Sequence, residues 1–252
     1  MSVENAINVD EAKLRASLDR EKLPRHIAVI MDGNGRWAMR QKLPRSTGHR
    51  AAMEAVRSVV ELCGELEIPV LTLYTFSAEN WTRPRWEVNA IMKLLIEQLQ
   101  KQTPELNEEN VRLNIIGDVE GLPPKIVREL NRSVDILKDN TGLLLNLALN
   151  YGGRQEIISA LHSIITEVKE GSLEVDDIDE DVFSQHLYTS GLPDPDLLIR
   201  TGSEMRISNF LLWQLAYTEI YVADVLWPDF RKKDLLLALL SYQKRQRRFG
   251  GI

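Results

Sequence analysis

The chain is 252 residues long, enough for one α/β domain that buries roughly 70–75% of the surface its unfolded form exposes. Hydrophobic residues at 44% and charged ones at 27% mark an ordinary globular protein, and a net charge of −6 excludes the basic footprint of a nucleic-acid binder. A single cysteine, Cys63, excludes a disulfide framework or a thiolate metal site. No signal peptide and no run of about 18 apolar residues is present, so the expected compartment is the cytoplasm.

Residues 1–25 are polar, with a short helix expected near 10–18, and read as a loosely held arm. Residues 27–31 form an unbroken apolar run, the pattern of a parallel strand buried on both faces. After a polar loop, residues 44–48 read as a break. A helix is then expected over 49–66, with Met53, Val56, Val59, Val60, Cys63 and Leu66 on one buried stripe, which makes Cys63 a core residue. Residues 69–76 are a second strand and 77–84 a polar, aromatic loop. A helix over 86–102 carries Val88, Ile91, Met92, Leu95, Ile96 and Leu99 on one side.

Strands are expected at 111–116 and 143–149, with a helix over 123–138 between them. Gly152 and Gly153 open a helix to Glu170, with Ile157, Ile158, Leu161, Ile164, Ile165 and Val168 turned inward. Residues 171–195 are acidic, with one short helix around 181–187. Residues 196–200 and 219–222 complete the strands, and a helix over 229–248 closes the chain. The alternation predicts a single α/β domain over 26–252: a central, mostly parallel six-stranded sheet wrapped by helices.

The chemistry gathers where strands end. The first strand runs into Asp32-Gly33-Asn34-Gly35-Arg36-Trp37. Glycine and asparagine tolerate positive φ, so this loop can turn sharply and present its N–H groups. Ligands of open α/β sheets bind beyond the carboxyl ends of strands, where this loop falls. With Asp32 and Arg36 it suits a phosphorylated substrate whose charge is shared with a metal. Asp-Gly and Asn-Gly are also ordinary turn dipeptides, and spacing alone leaves a plain tight turn open. Neither the G-x-x-x-x-G-K-[ST] nor the G-x-G-x-x-G phosphate loop is present, and Ile30 stands where a D-x-D phosphohydrolase needs its first Asp.

Residues 32–36, 77–83 and 200–208 should meet at one edge of the sheet. Arg200 and Arg206 bring planar forks that hold phosphate oxygens in pairs. Arg36, Arg40, Arg45 and Arg50 surround the first loop, a local basic pocket that fits a small anionic substrate. His49 opens a helix, where it could donate to a phosphate or simply cap the surface. His26, His162 and His186 lack ligand spacing and read as structural. The acidic run D-D-I-D-E at 176–180 is similar to the D-D-x-x-D motif of trans-prenyl synthases. It lies in a linker without a second copy, and carboxylates facing a helix dipole account for it better.

Five ordered motifs carry a more specific resemblance: H-I-A-V-I-M-D-G-N-G-R-W-A from His26, L-T-L-Y-T-F-S-A-E-N-W-T-R-P from Leu71, N-Y-G-G-R from Asn150, R-I-S-N-F-L-L-W-Q from Arg206 and L-W-P-D-F from Leu226. Together they resemble the cis-prenyltransferases, most closely their bacterial long-chain branch, across residues 26–251. The resemblance implies sequential cis-condensation of isopentenyl diphosphate onto farnesyl diphosphate. The product would be a long (undecaprenyl) diphosphate, precursor of the cell-wall lipid carrier, held in an apolar tunnel. It implies Mg²⁺ as cofactor, a homodimer, and leaves peripheral membrane contact open for product release.

Residue by residue, Asp32 matches the carboxylate that handles Mg²⁺ and diphosphate, with Glu219 the second metal-linked carboxylate. Gly33, Asn34, Gly35 and Arg36 match the allylic diphosphate loop, supported by Trp37, Arg45 and His49. Ser77, Ala78, Glu79, Trp81 and Arg83 match a mobile substrate loop, and Asn80 the position of a proton acceptor. Arg200, Arg206, Ile207 and Ser208 match the isopentenyl diphosphate site, and Arg248-Phe249-Gly250 an R-x-G tail that reaches a partner's site. Met205 stands where relatives carry His or Gln, and a thioether is a poor ligand for a hard cation. Ser203 stands where glycine is usual, which should stiffen that turn. Leu143 and Leu145 are candidates for setting product length. A shorter-chain synthase, a non-catalytic prenyl-diphosphate-binding subunit and a phosphohydrolase using Asp32 are the alternatives.

Overall fold

The computed structural model describes residues 11–245. Its frame is six parallel strands: β1 (His26–Ile30), β2 (Val70–Ser77), β3 (Arg112–Ile116), β4 (Leu144–Tyr151), β5 (Leu197–Thr201) and β6 (Glu219–Ala223). They lie in the order β3-β4-β2-β1-β5-β6. The apolar run predicted for β1 explains its central place. Ile27 and Val29 enter the larger core on one face, while Ala28 and Ile30 enter a smaller core with Tyr151, Leu198 and Phe210 on the other. From β1 the chain first moves toward β2, whereas from β5 it moves toward β6. The connections therefore part between β1 and β5, and that divergence opens a crevice at their carboxyl ends.

Helices α1 (Asn34–Arg40), α2 (Arg45–Glu65), α3 (Arg85–Glu108), α4 (Pro124–Leu137), α5 (Gly153–Glu170), α6 (Glu180–Gln185) and α7 (Lys232–Gln243) surround the sheet. Cys63 is fully buried. Three expectations need correction. No break occurs at residues 44–48: α2 begins just after Pro44 and runs through Gly48, whose missing Cβ lets α2 press against the backbone of Asn34. The substrate loop is not irregular, because Ala78–Thr82 forms a 3₁₀ turn capped by Ser77 and Asn80. On α5, Ile158, Leu161 and Ile165 face outward, and only Gly153, Glu156, Ala160 and Ile164 are buried. The apolar stripe is wider than the surface this chain offers it.

The amino-terminal arm is tied down wherever it is described. Leu14, Leu18 and Leu23 pack on the core, and Arg15 reaches Glu65 at 2.6 Å. The closing helix expected over 229–248 is shorter, α7 starting at Lys232 and ending at Gln243 with Lys244 as its cap, and the Arg248–Gly250 tail lies outside the described residues.

A polar ladder crosses the sheet and shows why His26 is structural. Asn114 donates to Asn146 at 3.0 Å, and Asn146 donates to Thr72 Oγ1 at 3.1 Å. The Thr72 hydroxyl then donates to His26 Nε2 at 2.7 Å, and His26 Nδ1–H donates to Pro193 O at 2.7 Å. Every group has a partner only if the imidazole is neutral. Burial favours the same form and pushes the His26 pKa down to about 4. In the unfolded chain the group titrates near 6.5, so the neutral histidine contributes fully above that pH and the contribution is lost as pH falls toward 4. Urea unfolding is expected to lose about 3 kcal/mol over this window from His26 alone. In a His26→Gln variant the curve of stability against pH should flatten there.

Candidate active site

The β1 strand delivers Asp32 to the crevice, and β5 delivers Arg200. Gly33 turns the chain away with φ +111°, and a Cβ there would lie 3.1 Å from the Leu226 backbone. Glycine meets both demands. Asp32 is fixed by its main chain: its N–H donates to Thr201 Oγ1 at 2.9 Å, and its carbonyl accepts from Thr201 Oγ1 at 2.7 Å and from Trp227 N–H at 2.9 Å.

Around the Asp32 carboxylate stand three guanidinium groups. Arg200 Nη2 donates to Oδ2 at 2.8 Å, Arg36 Nη2 lies 3.3 Å from Oδ1, and Arg206 Nη2 lies 3.9 Å from Oδ2. Half-burial by itself would raise the Asp32 pKa. The hydrogen bond and charge of Arg200, aided by Arg36, outweigh it and hold the carboxyl below its ordinary range. Arg200 also donates to Ser208 Oγ at 2.8 Å and to Arg206 O. Glu204 pairs with Arg36 at 3.3 Å and with Arg206. Three guanidiniums against two carboxylates leave the cluster net positive. Arg36 Nη2 and Arg200 Nε are buried without a hydrogen-bond partner, donors suited to an incoming anion.

Asp32, Arg200, Arg206 and Ser208 line a pocket of about 590 Å³, within the range of small-molecule sites, whereas Arg36 and Glu204 stand behind Asp32 and Arg206 rather than on its wall. Asp32, Ser77, Glu79, Asn80, Arg83, Arg200, Arg206 and Ser208 all reach it, as sequence reasoning expected. It also includes Tyr74 and Asn209, which that reasoning missed. Asn209 Nδ2 donates to Glu79 Oε1 at 2.7 Å, joining the substrate loop to the segment that carries Ser208. Ile207 packs beneath, against the smaller core.

Beside this polar pocket lies an apolar cavity of about 170 Å³ between the sheet and helices α2 and α3. Met53, Val56, Leu95, Leu99, Leu145 and Leu147 line it, Asn34 and His49 stand at the end nearest the first loop, and Met31 borders both spaces. Of the two length candidates, Leu145 is a wall residue.

Glu87, unremarked in the sequence, organises the basic residues at this junction. Its side chain is 2% exposed, accepts from Arg83 at 2.9 Å, and lies 3.7 Å from His49 Nε2 and 3.8 Å from Arg45. Spacing of four residues from Arg83 was its only signal, and on a helix that pattern is commonplace. Burial, with the charges of Arg83 and Arg45, outweighs the pull of Glu87 and keeps His49 below the ordinary imidazole range.

Other expected residues lie at the margin. Trp37 donates to Asp229 at 2.7 Å, and Trp81 donates to Asn150 at 2.7 Å while packing edge-on against Phe76. Ala78 is in the 3₁₀ turn, and Met205 is 85% exposed. Glu219 is not brought to Asp32 within the chain. It begins β6, opposite Leu197, and pairs with Arg245 at 2.6 Å. Five residues of strand, roughly 16 Å at about 3.3 Å each, separate its level from that of Asp32. The linker carboxylates do what their position suggested, with Asp179 capping α6 through Val182 N–H at 2.8 Å.

The donor set fits Mg²⁺ in one form. Hard carboxylate oxygen is present at Asp32, and among the described residues no cluster of three or more His, Cys, Asp or Glu forms a self-sufficient metal cage. Mg²⁺ is commonly held by one or two carboxylates together with substrate phosphates.

Comparison with known proteins gives the family and the fold. Residues 30–250 match the family described as "Putative undecaprenyl diphosphate synthase". An isoprenyl transferase of Bacillus subtilis is 54% identical over 231 residues, covering 92% of this chain and 89% of that one. One from Clostridium tetani is 50% identical over 242 residues, covering 96% and 95%. Among solved structures, lavandulyl diphosphate synthase from Lavandula x intermedia, in complex with dimethylallyl diphosphate, superposes with a TM-score of 0.89 at 37% identity, covering 91% of this chain and 99% of that one. A probable undecaprenyl diphosphate synthase from Campylobacter jejuni gives 0.75 at 35% identity, covering 90% and 98%.

Proposed function

We propose, from the premise that the chain belongs to the undecaprenyl diphosphate synthase family of prenyltransferases, that it extends farnesyl diphosphate with successive isopentenyl diphosphate units to a long cis-polyprenyl diphosphate. The observation that carries this reading is the junction at Met31, where an arginine-rich pocket opens beside an apolar cavity. A diphosphate head with a hydrocarbon tail needs both.

In this reading the allylic diphosphate lies at Arg36 and the first loop, with its tail in the cavity, and isopentenyl diphosphate lies at Arg200, Arg206 and Ser208. Breaking the allylic C–O bond sends its electron pair to the leaving diphosphate. Arg36 supplies positive charge where that negative charge grows; Mg²⁺, when bound, would be held by Asp32 together with substrate oxygens and would add to that charge. The alkene of isopentenyl diphosphate forms the new C–C bond, and holding both diphosphates fixes its approach. The resulting tertiary cation loses a proton to make the cis double bond. Asn80 Oδ1 already accepts from Ser77 N–H at 3.2 Å, and an amide is a weak base. We therefore assign proton acceptance to the released pyrophosphate, with Asn80 orienting the substrate loop.

The outward stripe of Ile158, Leu161 and Ile165 supports a homodimer, and a monomeric mass in solution would remove that part of the reading. No described helix is long and apolar enough to cross a membrane. The reading places the enzyme in the cytoplasm, with the product passing to the inner membrane face as the cell-wall lipid carrier precursor. The test is incubation with farnesyl diphosphate, labelled isopentenyl diphosphate and Mg²⁺. Long polyprenyl products that vanish with EDTA are expected. Products stopping after a few additions would favour the shorter-chain alternative, and binding of farnesyl diphosphate without turnover a non-catalytic subunit.

A further inference from the structure

The apolar cavity has a charged rim, and we propose that the Arg57–Glu105 ion pair on that rim is a chain-length latch, whose opening lets a growing tail pass between the two helices beyond the cavity. This rests on the prenyl-transfer reading above. At about 170 Å³ the cavity is close to an engineered apolar cavity of about 150 Å³ that takes up one benzene. A farnesyl tail has more than twice the carbons of benzene. A wall has to move to seat it fully, and has to move further with each unit added.

The sheet cannot be that wall. Leu73, Leu113, Leu145 and Leu147 belong to paired strands whose backbone hydrogen bonds hold them together. The opposite wall is the seam between α2 and α3, two helices that both run away from the diphosphate pocket. Near the pocket the seam is apolar. Farther along, Arg57, Glu61, Gln102, Glu105 and Glu109 join the apolar residues on the cavity rim. Arg57 Nη2 donates to Glu105 Oε2 at 2.5 Å and to Gln102 Oε1 at 3.5 Å, linking the two helices. Both charged side chains are about two-fifths exposed. Exposed pairs of this kind contribute little to stability, so the contact closes the seam without locking it. Packed leucines would have made the closure permanent, and bare apolar edges would have left the cavity open to water. The pair also places charge, which a hydrocarbon tail avoids, on the rim between the two helices.

The test is an Arg57→Cys/Glu105→Cys double variant bridged by a short, reducible bis-thiosulfonate cross-linker. The native Cys63 is fully buried and out of reach of the reagent. With farnesyl diphosphate and labelled isopentenyl diphosphate, the bridged protein is expected to keep the first condensation and to lose the longer products, and reducing agent should restore them. In an Arg57→Met/Glu105→Gln variant the product distribution should shift toward longer chains. Identical product lengths before and after bridging would overturn the latch. Loss of the first condensation on bridging would also overturn it, since the pair would then restrain the diphosphate site. If the protein transfers no isopentenyl unit even before bridging, the prenyl-transfer reading fails and the latch fails with it.

Discussion

Replacing Asp32 by alanine is expected to lower kcat/KM for isopentenyl addition by about 10³-fold, the scale seen when a preorganised electrostatic group is removed from an active site. The carboxylate has two tasks here. It carries the hard oxygen that fits Mg²⁺, and it spaces Arg36, Arg200 and Arg206, each within 4 Å of it. Without it the three guanidiniums repel one another, so diphosphate groups meet a displaced set of donors. The Asp32→Asn variant separates the tasks. Its amide keeps the shape and can still accept from Arg200, but it is a far poorer magnesium ligand. Nearly full loss in both variants, not reversed by raising Mg²⁺, is the expected outcome. The fold should survive, because Arg200 keeps Ser208 Oγ and the Arg206 carbonyl as acceptors. An unchanged circular dichroism spectrum with lost turnover would confirm that, whereas retained turnover in Asp32→Ala would remove the residue from the mechanism.

Asp32 was legible in the sequence for a physical reason. A continuous apolar run of this length suits a strand covered on both faces, and the residues just after such a strand fall at the ligand edge of a parallel sheet. The same reasoning placed residues 77–83 and 200–208 correctly, because each succeeds its own apolar strand. It had no purchase on Glu87, whose importance comes from burial beneath Arg83, His49 and Arg45, a tertiary fact. Glu219 shows a different limit. A motif gives order along the chain, whereas the register of β6 against β5 puts this residue at the far end of the sheet, beside Arg245. The face of α5 failed for a third reason: periodicity reports that a helix has an apolar side, not that this chain covers it. Glycine was the most ambiguous signal. At Gly33 it does mark a turn, but at Gly48 the same residue type marks a close packing of helices.

That difference makes Gly48→Ala a damaging substitution although it lies inside a helix. In a typical helix interior alanine is preferred over glycine by roughly 0.5–1 kcal/mol. At residue 48 the new Cβ would lie 2.0 Å from the carbonyl oxygen of Asn34 and 2.8 Å from its carbon. Neither atom is the end of a flexible side chain that could swing aside. The amino-terminal turn of α1 has to retreat, and it carries Asn34 and Arg36 with it. Overpacking of this kind costs typically about 1–3 kcal/mol, so the melting temperature should fall by several degrees. The loss in kcat/KM should exceed what unfolding explains, because Arg36 loses its geometry with Asp32 at 3.3 Å and with Gly202 O at 2.8 Å. Gly64→Ala supplies the control within the same helix. Its Cβ would meet nothing within 4 Å, so α2 should gain the ordinary alanine preference and activity should be unaffected. Opposite signs at two glycines of one helix would trace the damage to the contact with Asn34, whereas equal effects would mean that α1 yields to a methyl group without moving Arg36.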